Sequence, residues 1–228
     1  YTTLFRSYYE KMNKNILVKF QFSFKIRIFP QYSHTDDGIY FAYTQKSLWD
    51  LFNPLESAPF LESNYSPEFF IRFLKGQIGL QHESNGMGEA LIDKSRSWNR
   101  FYIEKDFRLT DWLNFKPRFW YSGNEDYMKH IGFGELNLNF KFRKLNFFSN
   151  LNYDLKIDIK FKIGSEMIQF KNLKGSVESN ITILPYYMDK KTTPISFYLH
   201  FFSGYGETLL KYNMKDTVLG IGIIFTYE

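Results

Sequence analysis

The sequence predicts an all-β protein, a single antiparallel transmembrane β-barrel of about twelve strands. Apolar and polar residues alternate with a period of two over long segments, which is the pattern of a strand whose two faces meet different environments. Aromatic residues make up 21% of the 228 residues, and no apolar stretch approaches the roughly 18 residues that a membrane helix needs. Strands rather than helices would therefore cross any membrane.

The alternation is clearest in three segments. From Ile16 to Ile28, isoleucine, valine and phenylalanine occupy every second position, and mostly lysine, arginine, glutamine and serine stand between them. The same pattern runs from Leu136 to Phe142 and from Leu151 to Ile163. Further strands are predicted at Asn114–Tyr121, Val177–Ile183, Ile195–Phe202 and Val218–Tyr227, with less regular ones near Leu4, Tyr40, Phe70, Ile78 and Phe101.

Residues 1–228 are predicted to form a single domain. Turn residues, such as those at Tyr121–Asn124 and Asn213–Asp216, separate the strands, and the chain has no linker, repeat or low-complexity segment. A soluble β-sandwich also alternates, but its strands are usually about 5 to 6 residues long. Several segments here reach the roughly 9 to 11 residues of a tilted membrane strand.

A barrel wall in contact with lipid has an apolar outer face, so the charged face of each strand points into the barrel interior. We expect the inward charges to form ion pairs, whose partners the sequence does not assign. They are Lys19, Lys25, Arg27, Glu68, Arg72, Arg100, Glu104 and Arg118.

Composition excludes several classes of site. The chain has no cysteine, so it has no disulfide and no thiolate ligand. Its four histidines show no ligand spacing along one strand, which argues against a zinc enzyme. The net charge of +5 is spread thinly along the chain, so we expect no nucleic-acid partner. No signal-peptide pattern follows Tyr1, and we expect any export signal to have been removed.

Two neighbouring strands carry polar residues on the face that should meet lipid. His82 and Ser84 are in phase with Ile78 and Leu80, and on the next strand Asn99 is in phase with Phe101. Unpaired polar groups are costly in lipid, so we expect these side chains to hydrogen-bond one another.

The three side chains are the parts of a serine hydrolase. Ser84 would be the nucleophile, His82 the general base, and Asn99 the group that fixes the tautomer of the imidazole. A carboxylate usually has that third role, but an amide is easier to bury at a lipid-facing wall. The structural alternative is that His82 and Ser84 lie at the membrane rim and bind headgroups or water.

Motifs spread from residue 43 to residue 207 resemble one family, outer membrane phospholipase A. The segments that carry the resemblance are Tyr43-Thr-Gln-Lys-Ser47 with Trp49, Glu56-Ser57 before Pro59-Phe60, Asn64-Tyr65 with Pro67, His82-x-Ser84-Asn85-Gly86, Ser95-Arg-Ser-Trp-Asn99-Arg100 and Ser203-Gly-Tyr-Gly-Glu207. The resemblance implies an integral outer-membrane barrel of twelve strands that hydrolyses acyl esters of phospholipids and is activated by calcium and by dimerisation.

The resemblance also implies individual roles. Ser84, His82 and Asn99 match the catalytic residues, and the Gly86 amide matches the oxyanion donor. Calcium would be bound by the Ser95 side chain, the Met87 carbonyl and, from the partner subunit, Ser57. Oxygen ligands suit such a hard cation. The sequence departs from the family in a loop from Met87 to Lys94 that is about three residues longer, and in Met87 where arginine is expected.

Gln45 indicates a dimer. It is in phase with Phe41 and Tyr43, so it would be an isolated amide facing lipid, and its copy in a two-fold dimer would satisfy it. A glutamine bonded to headgroups is the alternative.

The sequence thus predicts a calcium-dependent, dimer-activated outer-membrane hydrolase of phospholipids and lysophospholipids. The main alternative is a non-enzymatic barrel, either a small pore or an adhesin. A soluble barrel that carries a lipid is a third possibility, and the apolar outer faces argue against it.

Overall fold

The computed structural model describes residues 2–11, 16–29, 36–53, 59–87, 94–148, 151–164, 174–187 and 195–227. Within these residues there are thirteen strands and one helix, α1 (Glu125–His130), which lies between β8 and β9. The strands are β1 (Thr2–Lys11), β2 (Ile16–Arg27), β3 (Gly38–Trp49), β4 (Phe60–Phe73), β5 (Gly76–Ser84), β6 (Ser97–Lys105), β7 (Phe107–Arg108), β8 (Leu113–Tyr121), β9 (Gly134–Phe148), β10 (Leu151–Ile163), β11 (Gly175–Tyr187), β12 (Ile195–Tyr205) and β13 (Lys215–Tyr227). In the part of the chain that the structure describes, no helix is long and apolar enough to cross a membrane.

The strands form one closed antiparallel sheet. Each strand pairs with the next one along the chain except β6, which pairs with β8 instead of the two-residue strand β7. The pairing of β1 with β13 closes the sheet. The predicted fold class, an antiparallel β-barrel with about twelve long strands, is therefore confirmed. The sequence pattern did not predict β7 or α1.

The two faces of the wall differ as the alternation predicts. Large apolar side chains are exposed along the outer face, for example Leu80, Phe101 and Ile103, each with more than half of its surface accessible. This outer band is the surface that lipid would cover.

The inner face is polar and surrounds a cavity of about 1150 Å³. Ion pairs inside it join residues that are distant in sequence. Lys19 lies 2.8 Å from Glu207, and Arg118 lies 3.1 Å from Glu68. With Arg100–Glu83 and Lys116–Glu104, these pairs confirm the expected ion pairs of five inward residues, which are Lys19, Glu68, Arg100, Glu104 and Arg118. For Lys25, Arg27 and Arg72 the ion pair stays a prediction.

One end of the barrel is covered from within. This is the end where residues 85–96 connect β5 to β6, and it is called the 85–96 end below. Helix α1 and residues 206–214 fold over it and are together called the cap. The Tyr127 ring of α1 stacks on Trp98 of β6 at 5.3 Å and packs against Tyr212 at 4.2 Å. Buried aromatic and aliphatic side chains thus fix the cap to the inner wall.

Candidate active site

The predicted site lies where β5 ends and β6 begins, on the outer face of the barrel. The two strands pair so that His82 is opposite Asn99 and Ser84 is opposite Ser97. The residues between them, Glu83 and Trp98, face the cavity instead, because successive side chains of a strand point to opposite faces.

His82 and Asn99 form a direct hydrogen bond. The distance from His82 Nδ1 to Asn99 Oδ1 is 2.8 Å. An amide oxygen only accepts hydrogen bonds, so this geometry corresponds to the tautomer with the proton on Nδ1. The second ring nitrogen, Nε2, is then the basic one.

Ser84 lies two residues from His82 on the same face. It is paired with Tyr65 of β4 on one side and Ser97 of β6 on the other. Within the described residues, no hydrogen bond joins its hydroxyl to the His82 ring. A catalytic hydrogen bond of this kind is often long in a free enzyme and shortens when substrate binds.

Gly86, two residues after Ser84, has a backbone conformation that favours glycine. Its φ is +63°, in the left-handed region. A Cβ at this position would lie 2.7 Å from Cε2 of Tyr65. The Gly86 amide donates no hydrogen bond within the described ranges, so it can serve a ligand next to Ser84.

Asn85 organises the two chain segments that leave the site, a role that the sequence analysis did not assign. Its Nδ2 donates to the Lys94 carbonyl at 2.7 Å, and its Oδ1 accepts from the amides of Arg96 at 2.9 Å and Met87 at 3.4 Å. The sequence signal that could have indicated this role is the position of Asn85 between Ser84 and Gly86 in the motif. The buried Asn85 side chain therefore holds Met87 near the segment that contains Ser95.

The residues implied for calcium are only partly within the described chain. Met87 and Ser95 are described, and neither the Met87 carbonyl nor the Ser95 hydroxyl has a hydrogen bond there. Ser57 lies outside the described residues. The described chain contains no group of three or more His, Cys, Asp or Glu side chains that could hold a metal. Neutral oxygen donors fit a hard cation such as calcium, and few ligand charges make for weak binding.

Gln45 lies on the outer face of β3 and is not an isolated amide. Its Oε1 accepts a hydrogen bond from the Tyr43 hydroxyl at 3.2 Å, and its Nε2 donates to Ser47 Oγ at 3.4 Å. Ser47 in turn lies 2.9 Å from Ser63 Oγ on β4. The expectation of a lone amide is therefore wrong, because neighbouring outward side chains bond to it.

Comparison with known proteins points to one family. The family model described as phospholipase A1 matches residues 3–225. The phospholipase A1 of Klebsiella pneumoniae is 29% identical over 224 residues, which cover 91% of this chain and 69% of that protein.

Solved structures agree. Outer membrane phospholipase A from Escherichia coli has a TM-score of 0.74 at 25% identity, covering 99% of this chain and 97% of that one. The Salmonella typhi outer membrane phospholipase, solved as a dimer with bound calcium, has a TM-score of 0.73 at 25% identity, covering 99% of this chain and 90% of that one.

Proposed function

The chain belongs to the phospholipase A1 family, and from this membership we propose that it is a calcium-dependent, dimer-activated outer-membrane enzyme with a catalytic triad of Ser84, His82 and Asn99. Its substrates are phospholipids and lysophospholipids. The observation that carries the proposal is the 2.8 Å hydrogen bond from His82 to Asn99, beside Ser84 on the lipid-facing side of the wall. We also propose that residues 1–228 form one barrel domain.

The surroundings of the triad suit a lipid substrate. Leu80 and Phe101 are paired with each other, and each lies two residues along its strand from His82 or Asn99. They are 62% and 53% exposed on the outer face. Acyl chains would cover this surface. A phospholipid in the outer leaflet can therefore reach Ser84 laterally, without entering the barrel.

The chemistry follows from the hydrogen-bond direction. Asn99 holds the proton on His82 Nδ1, so Nε2 accepts the proton of the Ser84 hydroxyl as its oxygen attacks the ester carbonyl. His82 then returns that proton to the leaving alcohol oxygen, which departs as the lysophospholipid. Water hydrolyses the acyl-Ser84 ester by the same exchange and releases a fatty acid.

Two features stabilise the charge on the carbonyl oxygen. The Gly86 amide is the backbone donor, and the left-handed conformation of Gly86 supports this assignment because it turns the chain two residues after the nucleophile. Calcium would be held by the Met87 carbonyl, the Ser95 hydroxyl and the partner subunit's Ser57, and would supply a Lewis acid that polarises the ester carbonyl.

The dimer is supported by the spare capacity of Gln45. Its amide makes two hydrogen bonds within the chain, and one N–H and one oxygen lone pair remain. Two copies related by a two-fold axis can exchange these groups, because a two-fold interface brings each residue opposite its own copy.

Phospholipid hydrolysis by the purified, detergent-solubilised protein tests the proposal. We expect fatty-acid release with calcium and almost none after chelation. Fatty-acid release that does not depend on calcium would contradict the proposed metal site but would still support a hydrolase. Single-channel conductance without release in either condition would favour the small pore instead.

A further inference from the structure

Three cavity-facing side chains lie directly behind the triad on the same two strands. Glu83 stands between His82 and Ser84 on β5, and Trp98 and Arg100 flank Asn99 on β6. Glu83 Oε2 accepts a hydrogen bond from Trp98 Nε1 at 3.1 Å and another from Arg100 at 2.9 Å. One carboxylate oxygen thus bridges two positions of the neighbouring strand, and the three residues are called the inner clamp below.

The three residues of the inner clamp contact one another and have little solvent exposure. The Glu83 and Arg100 side chains are only 18% and 13% exposed, and Trp98 is 3% exposed. The Arg100 guanidinium also lies 4.1 Å from the centre of the Trp98 ring. Charge-assisted hydrogen bonds of this kind are stronger than neutral ones, and the screening by salt is weaker for buried pairs.

The position of the inner clamp gives it influence over the triad. β5 ends at Ser84 and β6 begins at Ser97, and strand ends separate more easily than strand centres. Backbone pairing continues only one step further, where the Asn85 amide donates to the Arg96 carbonyl at 3.0 Å. A separation or twist of the two ends would change the distance from His82 to Asn99 directly, because those residues are on the same two strands.

We infer that Glu83, Trp98 and Arg100 are positioning residues that hold the outer-face triad in its reactive geometry from inside the barrel. This inference rests on the proposed function of Ser84, His82 and Asn99. The clamp touches no substrate. It acts through the two strand ends, and a displacement of about 1 Å at such a site can cost about 100-fold in rate.

The test is Glu83→Gln, which keeps the shape of the side chain and removes its charge. We expect kcat to fall about 10- to 100-fold while KM stays within about twofold. Glu104→Gln is the matched control. Glu104 on β6 is an inward carboxylate, as Glu83 on β5 is, and it is paired with Lys116 at 2.7 Å. It lies near the end of β6 that is far from the triad. Its kcat should stay within about threefold of the wild-type value.

Additional variants separate positioning from general stability. Trp98→Phe keeps an aromatic ring at this position but removes the N–H donor together with the second ring of the indole. It should lower kcat about threefold to tenfold, and it decides the question if Glu83→Gln does not fold. The double variant Glu83→Gln/Arg100→Gln should lose no more activity than Glu83→Gln alone, since residues that act as a unit are not additive.

The outcome distinguishes the clamp from the triad. If Ser84→Ala is inactive while folded Glu83→Gln and Trp98→Phe keep the wild-type kcat, the clamp is refuted and the triad stands. The clamp is also refuted if Glu104→Gln lowers kcat as much as Glu83→Gln. Full activity in Ser84→Ala would refute the proposed function itself.

Discussion

At the scale of single residues, the site depends on hydrogen-bond direction more than on charge. Asn99 accepts from His82 Nδ1 as a carboxylate would, but it carries no charge to stabilise the imidazolium. A carboxylate at this exposed, outward position would have to lose its hydration to lipid, which is far more costly for an ion than for an amide. The neutral third residue is therefore consistent with a site on the outer wall.

Gly86 offers a sharp test of the oxyanion donor. In Gly86→Ala, the positive φ would cost about 1 kcal/mol, and the new Cβ would lie 2.7 Å from the Tyr65 ring. The backbone must shift, so we expect kcat to fall about tenfold or more. Steady-state hydrolysis by detergent-solubilised protein measures this.

Gly123→Ala is the control for that experiment. A Cβ at Gly123 would meet no atom within 4 Å, and the residue lies in the segment between β8 and α1. Its kcat should remain within about twofold of the wild-type value. Equal losses in the two variants would contradict the role assigned to the Gly86 amide.

The site was predictable from sequence to the extent that it depends on strand parity. His82, Ser84 and Asn99 share a face because a strand repeats every two residues, and the sequence contains that information. The partners of Arg100 were not predictable, because they depend on the register of β5 against β6 and on the rotamers that bring Glu83 and Trp98 to it. The proposed calcium ligands rest on family resemblance, since no local pattern specifies Met87 or Ser95.

At the scale of elements, the long strands were predictable and the short elements were not. The segments that begin at Ile16, Leu136 and Leu151 lie in the long strands β2, β9 and β10. In β9 the alternation holds as far as Phe142 and changes phase at a bulge near Lys144. α1 has only six residues, too few for a helical period, although its Asn124 cap, acidic first turn and basic last turn are helix signals. β7 has two residues and therefore shows no alternation at all.

The cap predicts a response to alkaline pH. Burial raises the pKa of Tyr127 in α1 from 10 to about 12. Burial, together with a hydrogen bond to Asp126, raises the pKa of Tyr212 from 10 to about 12. Both hydroxyls stay protonated in the folded cap under conditions that would ionise them in an unfolded chain.

The sign follows from proton binding. Between pH 10 and 12 the folded cap binds more protons than the unfolded chain, so its stability decreases as pH rises and is fully present below pH 10. We expect Tyr127→Phe and Tyr212→Phe each to remove one late-titrating tyrosine from the tyrosinate absorbance of the wild-type protein. Titration of every tyrosine near pH 10 would contradict this account of the cap.

At the scale of the whole molecule, the inner and outer faces of the barrel wall have different roles. The inner face carries ion pairs such as Lys19 of β2 with Glu207 of the cap and Arg118 of β8 with Glu68 of β4, which connect segments far apart in sequence. The outer face carries the apolar band together with the proposed site. The reaction can therefore occur at the wall while the charged interior maintains the shape of the barrel.

The proposed dimer would form through the outer wall at Gln45, and Gln45→Leu tests it. Loss of the amide removes the hydrogen bonds available across the two-fold axis, each worth about 0.6 to 1.7 kcal/mol in a membrane. We expect the dimer dissociation constant in detergent with calcium to rise about threefold or more, as measured by sedimentation. Gln21→Leu, an amide on the cavity side of β2, should leave it unchanged, and a Gln45→Leu protein that dimerises like the wild type would exclude this interface.

The most direct test of the central claim is fatty-acid release by Ser84→Ala compared with Ser97→Ala, at equal amounts of folded protein with calcium present. Ser97 is opposite Ser84 on the same outer face, so it controls for the loss of a lipid-facing hydroxyl. The account predicts that Ser84→Ala loses at least about 1000-fold in kcat, while Ser97→Ala stays within about threefold of the wild-type value. Release by Ser84→Ala at the wild-type rate would contradict the proposed triad.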